Sequence, residues 1–420
     1  MIARIRLATA GYSRQFWILF WGTLINSAGG SMVWPFLTVY MRQHLDAPLT
    51  AITLLFTLNS AAGLVATSIA GPAVDRFGRK IAMALSLAGN SAVYLAMAAA
   101  HTLPAWAGLM TGLGVIWPLY RVGADAMVAD MIEPERRPAA YALLRVVSNL
   151  GIAVGPMIGG FLSTVSYTYA FGGGAAANFI FLLLVLLAVR ETLPQRPSQE
   201  RPAHDDGGYG PVLRDLPFLV FCAIYVVATM PSSIMMTLLA VYAKENFGVP
   251  ESQYGFIMAT NALMVVLFQY AVTRRSEGHP PLRVLTLGAL LYAAGVGSVA
   301  LGRGFPAFVL SMAILTAGEL LLVPTATALA ANLAPAEMRG RYMGLFGMTW
   351  GIGFGIAPVI GGLLNDRVAP VAPWYGGLAL GLSAAVGFLL LARRLEGQNP
   401  HWRSEANGAG RKPAGSSPEV

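Results

Sequence analysis

Long apolar runs separated by short polar segments dominate the chain. Each run extends over about 20 residues, and a helix of that length crosses a hydrocarbon core about 30 Å thick. The apolar residues are continuous rather than alternating, which favours helices over the strands of a membrane barrel. The runs predict about twelve spanning helices, near 15–40, 50–71, 81–100, 105–129, 138–165, 170–190, 216–243, 253–273, 283–302, 306–332, 341–364 and 373–392.

The predicted helices form two sets of six, so we expect an all-α integral membrane protein with two six-helix bundles over 15–190 and 216–393. Residues 191–215 are rich in proline and charge and predict a polar linker. Residues 1–14 are expected to form an N-terminal tail. Residues 394–420, rich in Gly, Ser, Pro and charge, are expected to form a disordered C-terminal tail.

Composition excludes several classes of protein. Of the residues, 56% are hydrophobic and 11% are charged, whereas a soluble domain averages about 25% charged residues. The net charge of +8 is spread over short loops, so we expect no nucleic-acid partner. The single cysteine, Cys222, excludes an intrachain disulfide. The sequence contains no metal-ligand cluster, nucleophile motif or phosphate-binding loop, so we expect no enzymatic activity, cofactor or metal.

The basic residues predict the orientation in the membrane. If both termini lie in the cytoplasm, 22 of the 28 Lys and Arg residues fall in cytoplasmic segments and 4 on the opposite side. The remaining two, Arg121 and Arg145, fall inside spans. Basic loops stay cytoplasmic, so this asymmetry supports that orientation.

An internal repeat relates the two halves. Glu135-x-Arg137 is followed by a glycine-rich segment over 151–160, and at an offset of 202 residues Glu337-x-Arg339 is followed by a related segment over 353–362. A half-length repeat among twelve spans fits two pseudo-symmetric bundles related by an axis along the membrane normal.

The loop over 71–80 carries the most specific motif, Gly-x-x-x-Asp-Arg-x-Gly-Arg-Lys. It resembles the loop between helices 2 and 3 of the major facilitator superfamily of secondary transporters. The resemblance implies a cytoplasmic gate that pairs across helices when the transporter is closed to the cytoplasm, with Asp130 at the inner end of the fourth span as the expected partner. A purely topological basic loop would explain the cations but not the acid and both glycines. The gate residues are Gly71, Asp75, Arg76, Gly78, Arg79, Lys80 and Asp130.

A second motif, Gly-x-x-x-Gly-Pro-x-x-Gly-Gly, lies in the fifth span. Small residues at this spacing let helices approach closely, which is also the role of ordinary packing glycines. The motif resembles that of the drug-efflux branches of the superfamily, and the resemblance implies antiport. Its residues are Gly151, Gly155, Pro156, Gly159 and Gly160.

Charges inside spans are costly and therefore point to function. Arg121 and Asp125 stand four residues apart on one face of the fourth span, where they can form a local pair. Arg121 matches an intramembrane arginine that the family links to proton coupling. Glu319 lies near the bilayer midplane with no basic residue within one turn, so we expect Glu319, or else Asp125, to carry the coupling proton. A permanently protonated, hydrogen-bonded Glu319 remains the alternative.

Aromatic, Met and amide side chains are the expected lining of a substrate pocket, because large apolar and flexible side chains suit bulky ligands. Such residues also pack against lipid or other helices, so the assignment depends on where they face. The candidates are Asn26, Trp34, Tyr120, Met235, Met236, Asn261 and Trp350.

The sequence thus predicts a monomeric secondary transporter in a bacterial-type plasma membrane, surrounded by lipid. By resemblance to the bacterial drug:proton antiporters, it is expected to export small amphipathic compounds in exchange for protons. A sugar or metabolite transporter of the same fold is the first alternative, although the spans offer few hydrogen-bonding residues. A non-transporting receptor is the second, and the buried charges weigh against it.

Overall fold

The computed structural model describes residues 12–193, 210–335 and 338–398. Within these ranges the N-terminal half contains α1 (Arg14–Val33), a 3₁₀ turn (Trp34–Phe36), α2 (Leu37–His44), α3 (Leu49–Phe77), α4 (Arg79–Ala99), α5 (Leu103–Met131), α6 (Arg137–Val165) and α7 (Tyr167–Ala188). The C-terminal half contains α8 (Gly210–Arg214), α9 (Leu216–Phe247), α10 (Glu251–Ser276), α11 (Pro281–Val299), α12 (Phe305–Leu333), α13 (Arg339–Arg367) and α14 (Ala372–Gln398).

Local sequence explains several helix ends. The Ser13 hydroxyl accepts from Phe16 N at 3.2 Å at the start of α1, and the Asp215 carboxylate accepts from Phe218 N at 3.1 Å at the start of α9. Such side chains satisfy N–H groups that have no partner inside the helix. At the end of α9, Gly248 adopts a left-handed conformation that closes the helix.

Ten of the described helices are long and apolar enough to cross a membrane. The other two predicted spans correspond to α5 and to α1 with α2. The prediction of twelve spanning helices in an all-α fold is therefore confirmed, and the observed helices extend the predicted spans by several residues at many ends.

Three boundaries differ from the prediction. The first span is not one continuous helix, because it is interrupted by the turn at Trp34–Phe36, where Pro35 lacks the N–H needed to continue the α-helical ladder. The predicted linker contains the short helix α8. The last helix extends to Gln398, inside the predicted C-terminal tail. Residues 1–11, 194–209 and 399–420 of the predicted tails and linker lie outside the described residues.

The helix ends define two faces of the molecule. The motif face carries residues 71–80, between α3 and α4. The opposite face carries the connections between α2 and α3, α6 and α7, α9 and α10, and α13 and α14.

The apolar core is shared at one face and divided at the other. At the opposite face, buried residues of the N-terminal half such as Phe36 and Trp106 join one cluster with residues of the C-terminal half such as Tyr254. At the motif face, Phe16, Met127 and their neighbours form a separate cluster inside the N-terminal half. The two halves therefore pack together at the opposite face and diverge toward the motif face.

Glycines of the repeat bring helices together within each half. A Cβ added at Gly155 would lie 2.5 Å from the carbonyl oxygen of Ala28 in α1. In the C-terminal half, a Cβ at Gly353 or Gly361 would overlap Thr229 or Leu238 of α9. The two copies of the repeat thus place α6 against α1 and α13 against α9.

The last glycine of each copy faces the other half. A Cβ at Gly160 of α6 would lie 2.5 Å from the carbonyl oxygen of Glu251 in α10. A Cβ at Gly362 of α13 would lie 2.5 Å from Oγ1 of Thr53 in α3. These two close approaches, α6 with α10 and α13 with α3, join the halves at the opposite face.

Candidate functional site: a network at the motif face and a cleft between the halves

Arg79 is the centre of an ion-pair network at the motif face. Its Nε lies 3.0 Å from Oδ2 of Asp130, and its Nη2 lies 3.3 Å from Oδ1 of Asp75. Arg79 begins α4, Asp75 lies in the last turns of α3, and Asp130 lies near the end of α5. The network therefore joins three helices of the same half. The structure places the predicted partner Asp130 beside the motif while the two halves are apart at this face.

Glu191, which the sequence analysis assigned to the linker, completes this network. Its carboxylate accepts the backbone N–H groups of Arg79 and Lys80, each at 3.0 Å, and so caps the start of α4. It also accepts from Thr192 N at 2.9 Å and Leu193 N at 3.0 Å. Partial burial raises the pKa of Glu191, but these four N–H groups lower it more, and the net pKa lies below its ordinary value.

Gly78 makes room for this cap. Its φ is +99°, a conformation that L side chains rarely adopt. A Cβ at this position would overlap Oε2 of Glu191. The second motif glycine therefore has two physical reasons, backbone conformation and the close approach of a carboxylate.

The remaining motif residues divide into two groups. The Lys80 ammonium donates to the carbonyl oxygen of Leu186 at 2.8 Å, which ties α4 to α7. The exposed Arg76 guanidinium lies 5.5 Å from the centre of the adjacent Phe77 ring. A Cβ at Gly71 would meet nothing within 4 Å. Within the part of the chain that the structure describes, Arg76 and Gly71 take no part in the Arg79 network.

Arg121 and Asp125 lie on one exposed strip of α5. The neighbouring Tyr120 hydroxyl lies 3.1 Å from Oγ1 of Thr23 in α1. Gly114 points in nearly the same direction as the two charges, about two to three turns nearer the opposite face, and packs against α3. Helix α3 and the segment α1–α2 contact the C-terminal half, so the two exposed charges lie on the side of α5 that carries its contact with α3.

The Arg121 guanidinium lies 5.9 Å from the centre of the Trp117 ring, one turn earlier on the same strip. Cation–π contact of this kind holds a guanidinium over an aromatic face. Arg121 and Asp125, expected as a possible local pair, are both described residues and form no ion pair within 4.0 Å, since Arg121 lies on Trp117.

Glu319 is the central residue of α12, with fourteen residues of the helix on each side. Its Oε2 accepts from the Asn261 amide of α10 at 2.7 Å. The same amide donates to Oγ1 of Thr316 at 3.0 Å. The structure therefore brings Asn261, predicted as a pocket residue, into direct contact with the predicted proton carrier.

Aromatic side chains surround this carboxyl. Tyr225 lies within electrostatic range of Glu319 and accepts a hydrogen bond from Trp350 Nε1 at 3.2 Å. The Trp350 ring stacks on Phe354 with centroids 5.3 Å apart. Trp350 is half-buried, and its hydrogen bond to Tyr225 places this predicted pocket residue in the same half as Glu319.

The other predicted pocket residues occupy different places. Met235 is fully buried in the core, so it does not line an open site in this conformation. Trp34 lies edge-on to Phe56 with centroids 5.3 Å apart, at the break between α1 and α2. Met236 and Asn26 are half-buried. Of the seven candidates, Met235 is thus the one that is enclosed in the core, and the other six stay a prediction as pocket residues.

Polar contacts between the halves cluster at the opposite face, where sequence analysis named none. Asp366 of α13 accepts from Thr50 N and Thr50 Oγ1 of α3, each at 2.7 Å. Arg42 Nε of α2 lies 3.1 Å from Oε1 of Glu245 in α9. The sequence shows charged residues beside the ends of these spans, but it does not show their pairing, because the partners lie 203 and 316 positions apart along the chain.

One further group at this face joins both halves. The Glu251 carboxylate of α10 accepts from Lys244 of α9 and from the hydroxyl of Tyr167, which begins α7 in the N-terminal half. Within the described residues, no group of three or more His, Cys, Asp or Glu side chains is placed to hold a metal ion.

A sequence model of a known family matches nearly the whole chain. The model described as Major Facilitator Superfamily matches residues 19–228 and, separately, residues 221–418. The chain belongs to the Major Facilitator Superfamily. The protein is therefore an integral membrane transporter and not an enzyme, and the twelve-helix fold is the one that this superfamily has.

Comparison with individual proteins gives the same assignment. The chain is 29% identical to the uncharacterized MFS-type transporter YttB of Bacillus subtilis strain 168, over 90% of this chain and 93% of the relative. It is 25% identical to the Na(+), Li(+), K(+)/H(+) antiporter of Planococcus maritimus, over 82% of this chain and 86% of the relative. It is also 25% identical to Multidrug resistance protein 1 of Bacillus subtilis strain 168, over 83% and 89%.

Among solved structures, a point mutant of the nucleoside transporter NupG superimposes with a TM-score of 0.78 at 13% identity. This match covers 90% of this chain and 100% of the NupG chain. At this identity the likeness shows the fold of the superfamily alone.

Proposed function

We propose that this superfamily member exports small amphipathic compounds in exchange for protons, by alternating access between the two halves. The observation that carries the proposal is the Glu319 carboxyl at the centre of α12, held by the Asn261 amide. A carboxyl at mid-membrane depth is costly unless it is neutral, paired or hydrated. The neutral and the ionised carboxyl favour different surroundings, so reversible protonation of Glu319 can be coupled to the change between conformations.

The cleft provides the second element of the proposal. In this proposal the exposed Arg121 and Asp125 face the cleft from the N-terminal half, and Trp350 with its partner Tyr225 faces it from the C-terminal half. Aromatic faces bind apolar and cationic groups of a substrate. The multidrug resistance relative supports this substrate class. The motif face is the cytoplasmic face in this proposal, because the basic residues concentrate there.

Purified protein in liposomes with an imposed pH gradient tests the proposal. Dyes and drugs of amphipathic structure should move against the proton gradient, and Glu319→Gln should lose this gradient-driven movement. The matched control is Glu277→Gln, which removes a carboxylate from an exposed position just after α10 and should transport normally. Movement of the compounds that ignores the gradient, or a Glu319→Gln protein with wild-type coupling, would refute proton-coupled export.

Exchange of an alkali-metal cation for protons is a second candidate. The observation that favours it is the pair of oxygen atoms of Glu319 and Thr316, which lie 2.7 and 3.0 Å from the same Asn261 amide nitrogen, since carboxylate and hydroxyl oxygens are ligands of hard cations. The antiporter of Planococcus maritimus supports the same activity. In the same liposomes, a sodium gradient should then acidify or alkalinise the lumen without any organic substrate, and Thr316→Val should abolish the change.

A further inference from the structure

The Glu251 carboxylate is the most buried acid in the contact between the two halves at the opposite face, where two donors converge on it. Its side chain is 8% exposed, and the side chain of its partner Lys244 is 30% exposed. The second donor is the hydroxyl of Tyr167. Lys244 belongs to the same half as Glu251, whereas Tyr167 belongs to the other half.

The backbone around Glu251 holds this arrangement in the contact between α6 and α10. A Cβ at Gly160 would meet the carbonyl oxygen of Glu251 at 2.5 Å. The Lys244 ammonium also lies 5.8 Å from the centre of the Tyr167 ring. Glu251 therefore lies in one of the close contacts that must part when the halves separate at this face.

Other titratable groups surround this site. The His44 ring lies edge-on to Tyr167 with centroids 6.2 Å apart and stacks on Tyr40 at 4.1 Å. The neighbouring ion pair of Arg42 and Glu245 is more open to solvent, with side chains 31% and 44% exposed. Among these groups, Glu251 is the acid that is both buried and bonded across the halves.

The donors of Glu251 change when the halves separate. In the closed arrangement Lys244 and Tyr167 both stabilise the ionised carboxylate. Separation removes Tyr167 and exposes the carboxyl to water. Lys244 lines a small solvent-open cleft together with Arg42 and Glu245.

We propose that Glu251 is a proton-binding site, and that its protonation releases the contact between the two halves at the opposite face. The proposal rests on the proposed function in one respect, that the halves move apart at this face during transport. The proposal adds a second proton-binding carboxyl to Glu319, and this second carboxyl lies at the opposite face.

The direction of the effect follows from linkage. The Tyr167 hydrogen bond is made only in the closed state, and it is stronger to the ionised carboxylate than to the neutral carboxyl. Together with Lys244 it outweighs the burial that favours the neutral form, so binding a proton weakens the closed contact. A proton therefore shifts the population toward separation, and its loss restores the closed contact. Acid on the opposite face should open that face.

Distances between spin labels across the opposite face test this proposal. Val165 and Val368 are 76% and 71% exposed and lie at the ends of α6 and α13 in different halves, so cysteines at these two positions accept the labels in a Cys222→Ala background. In the wild type, acidification should increase the long-distance population. Glu251→Gln should show that population already at neutral pH, with the ratio of separated to closed molecules raised about tenfold or more, and should respond little to acid.

Two further variants keep the test decisive. Tyr167→Phe retains the ring and removes only the donor from the other half, so it should raise the separated population at neutral pH. The matched control is Glu245→Gln, which removes a neighbouring exposed ion pair and should retain the wild-type response to acid. A wild type without a response to pH, or a Glu251→Gln protein that keeps the wild-type response, would overturn the proposal.

The measurement uses neither substrate nor gradient, so its outcome is separate from that of the transport assay. If the labels respond to acid through Glu251 while liposomes show no proton-coupled movement, the proposed function fails and the site stands. If transport is proton-coupled but the labels do not respond, the site fails and the proposed function stands.

Discussion

Gly78 has a backbone conformation that favours glycine, and it also lies against Glu191 of the motif-face network. Gly78→Ala would impose a side chain at φ +99° and push it against Glu191. With ψ at 153°, Gly78 lies in a region that is essentially confined to glycine, where a side chain costs about 1–3 kcal/mol, and displacement of the cap adds to it. We expect a lower midpoint of thermal unfolding in detergent. Gly71→Ala is the control, since its Cβ would meet nothing within 4 Å, and equal effects of the two variants would contradict this explanation.

Glu191 gives the motif face a defined dependence on pH. Its pKa is lowered in the folded protein from an ordinary value of 4.5. A lowered pKa stabilises the folded state above the unfolded pKa, and this stabilisation is lost as the pH falls through the folded pKa. Thermal unfolding at a series of pH values should therefore show Glu191→Gln less stable than wild type at neutral pH, with the two curves converging in acid. A difference that persists unchanged well below the ordinary pKa would show that the carboxylate charge is not the cause.

Whether a side-chain contact could be predicted from the sequence depended on how far apart its two residues lie along the chain. Asp75 and Arg79 lie one turn apart, and the family motif pointed to Asp130, so the Arg79 network could be predicted. Glu191 and Glu251 each bond to residues more than 80 positions away. These hydrogen bonds form between helices that are distant in sequence and adjacent only in the folded protein. A single sequence does not show which distant helices are adjacent, so the bonds could not be predicted.

At the scale of elements, α6 serves two contacts through one row of glycines. Gly155 faces α1 in the same half, and Gly160 faces α10 in the other half. The sequence motif predicted close packing, but not which glycine faces which half. That distinction depends on the rotation of α6 about its axis, which is set by the contacts of the whole bundle.

Gly160→Ala should weaken the contact between the halves without unfolding either one. The added Cβ would lie 2.5 Å from the carbonyl oxygen of Glu251, so α6 and α10 must move apart. We expect a larger long-distance population between labels at positions 165 and 368 at neutral pH. Gly172→Ala in α7 is the matched control, because its Cβ would meet nothing within 4 Å. Indistinguishable distance distributions for the two variants would argue against this role of Gly160.

The break at Trp34–Phe36 shows the limit of hydropathy at the element scale. The apolar run over 15–40 predicted one continuous span, and hydropathy does not register where the backbone ladder is interrupted. The position of the break is indicated in the sequence by Pro35, which has no backbone N–H to continue the helix. The twelve-span prediction succeeded elsewhere because each run is long and is bounded by charge, glycine or proline.

At the scale of the whole molecule, the structure is closed at the opposite face and open at the motif face. A membrane-impermeant thiol reagent should therefore label Asp125→Cys in inside-out vesicles and not in right-side-out vesicles. Leu287→Cys on α11 is the control, since Leu287 is apolar and 51% exposed on a helix whose contacts are with its own half, so we expect lipid to cover it. Labelling of Asp125→Cys from both sides, or of Leu287→Cys, would contradict the cleft or its orientation.

The paired contacts of Gly160 and Gly362 have a consequence for the origin of the chain. Gly160 of the first half meets Glu251 and Ser252, and Gly362 of the second half meets Thr50 and Thr53. The offset of 202 residues that relates Gly160 to Gly362 also relates Thr50 to Ser252. Reciprocal contact, in which one position meets a second and the second meets the first, is the signature of a twofold dimer. The junction of the halves therefore has the interface geometry of a twofold dimer of half-length units, which is the geometry expected of a chain that arose by internal duplication.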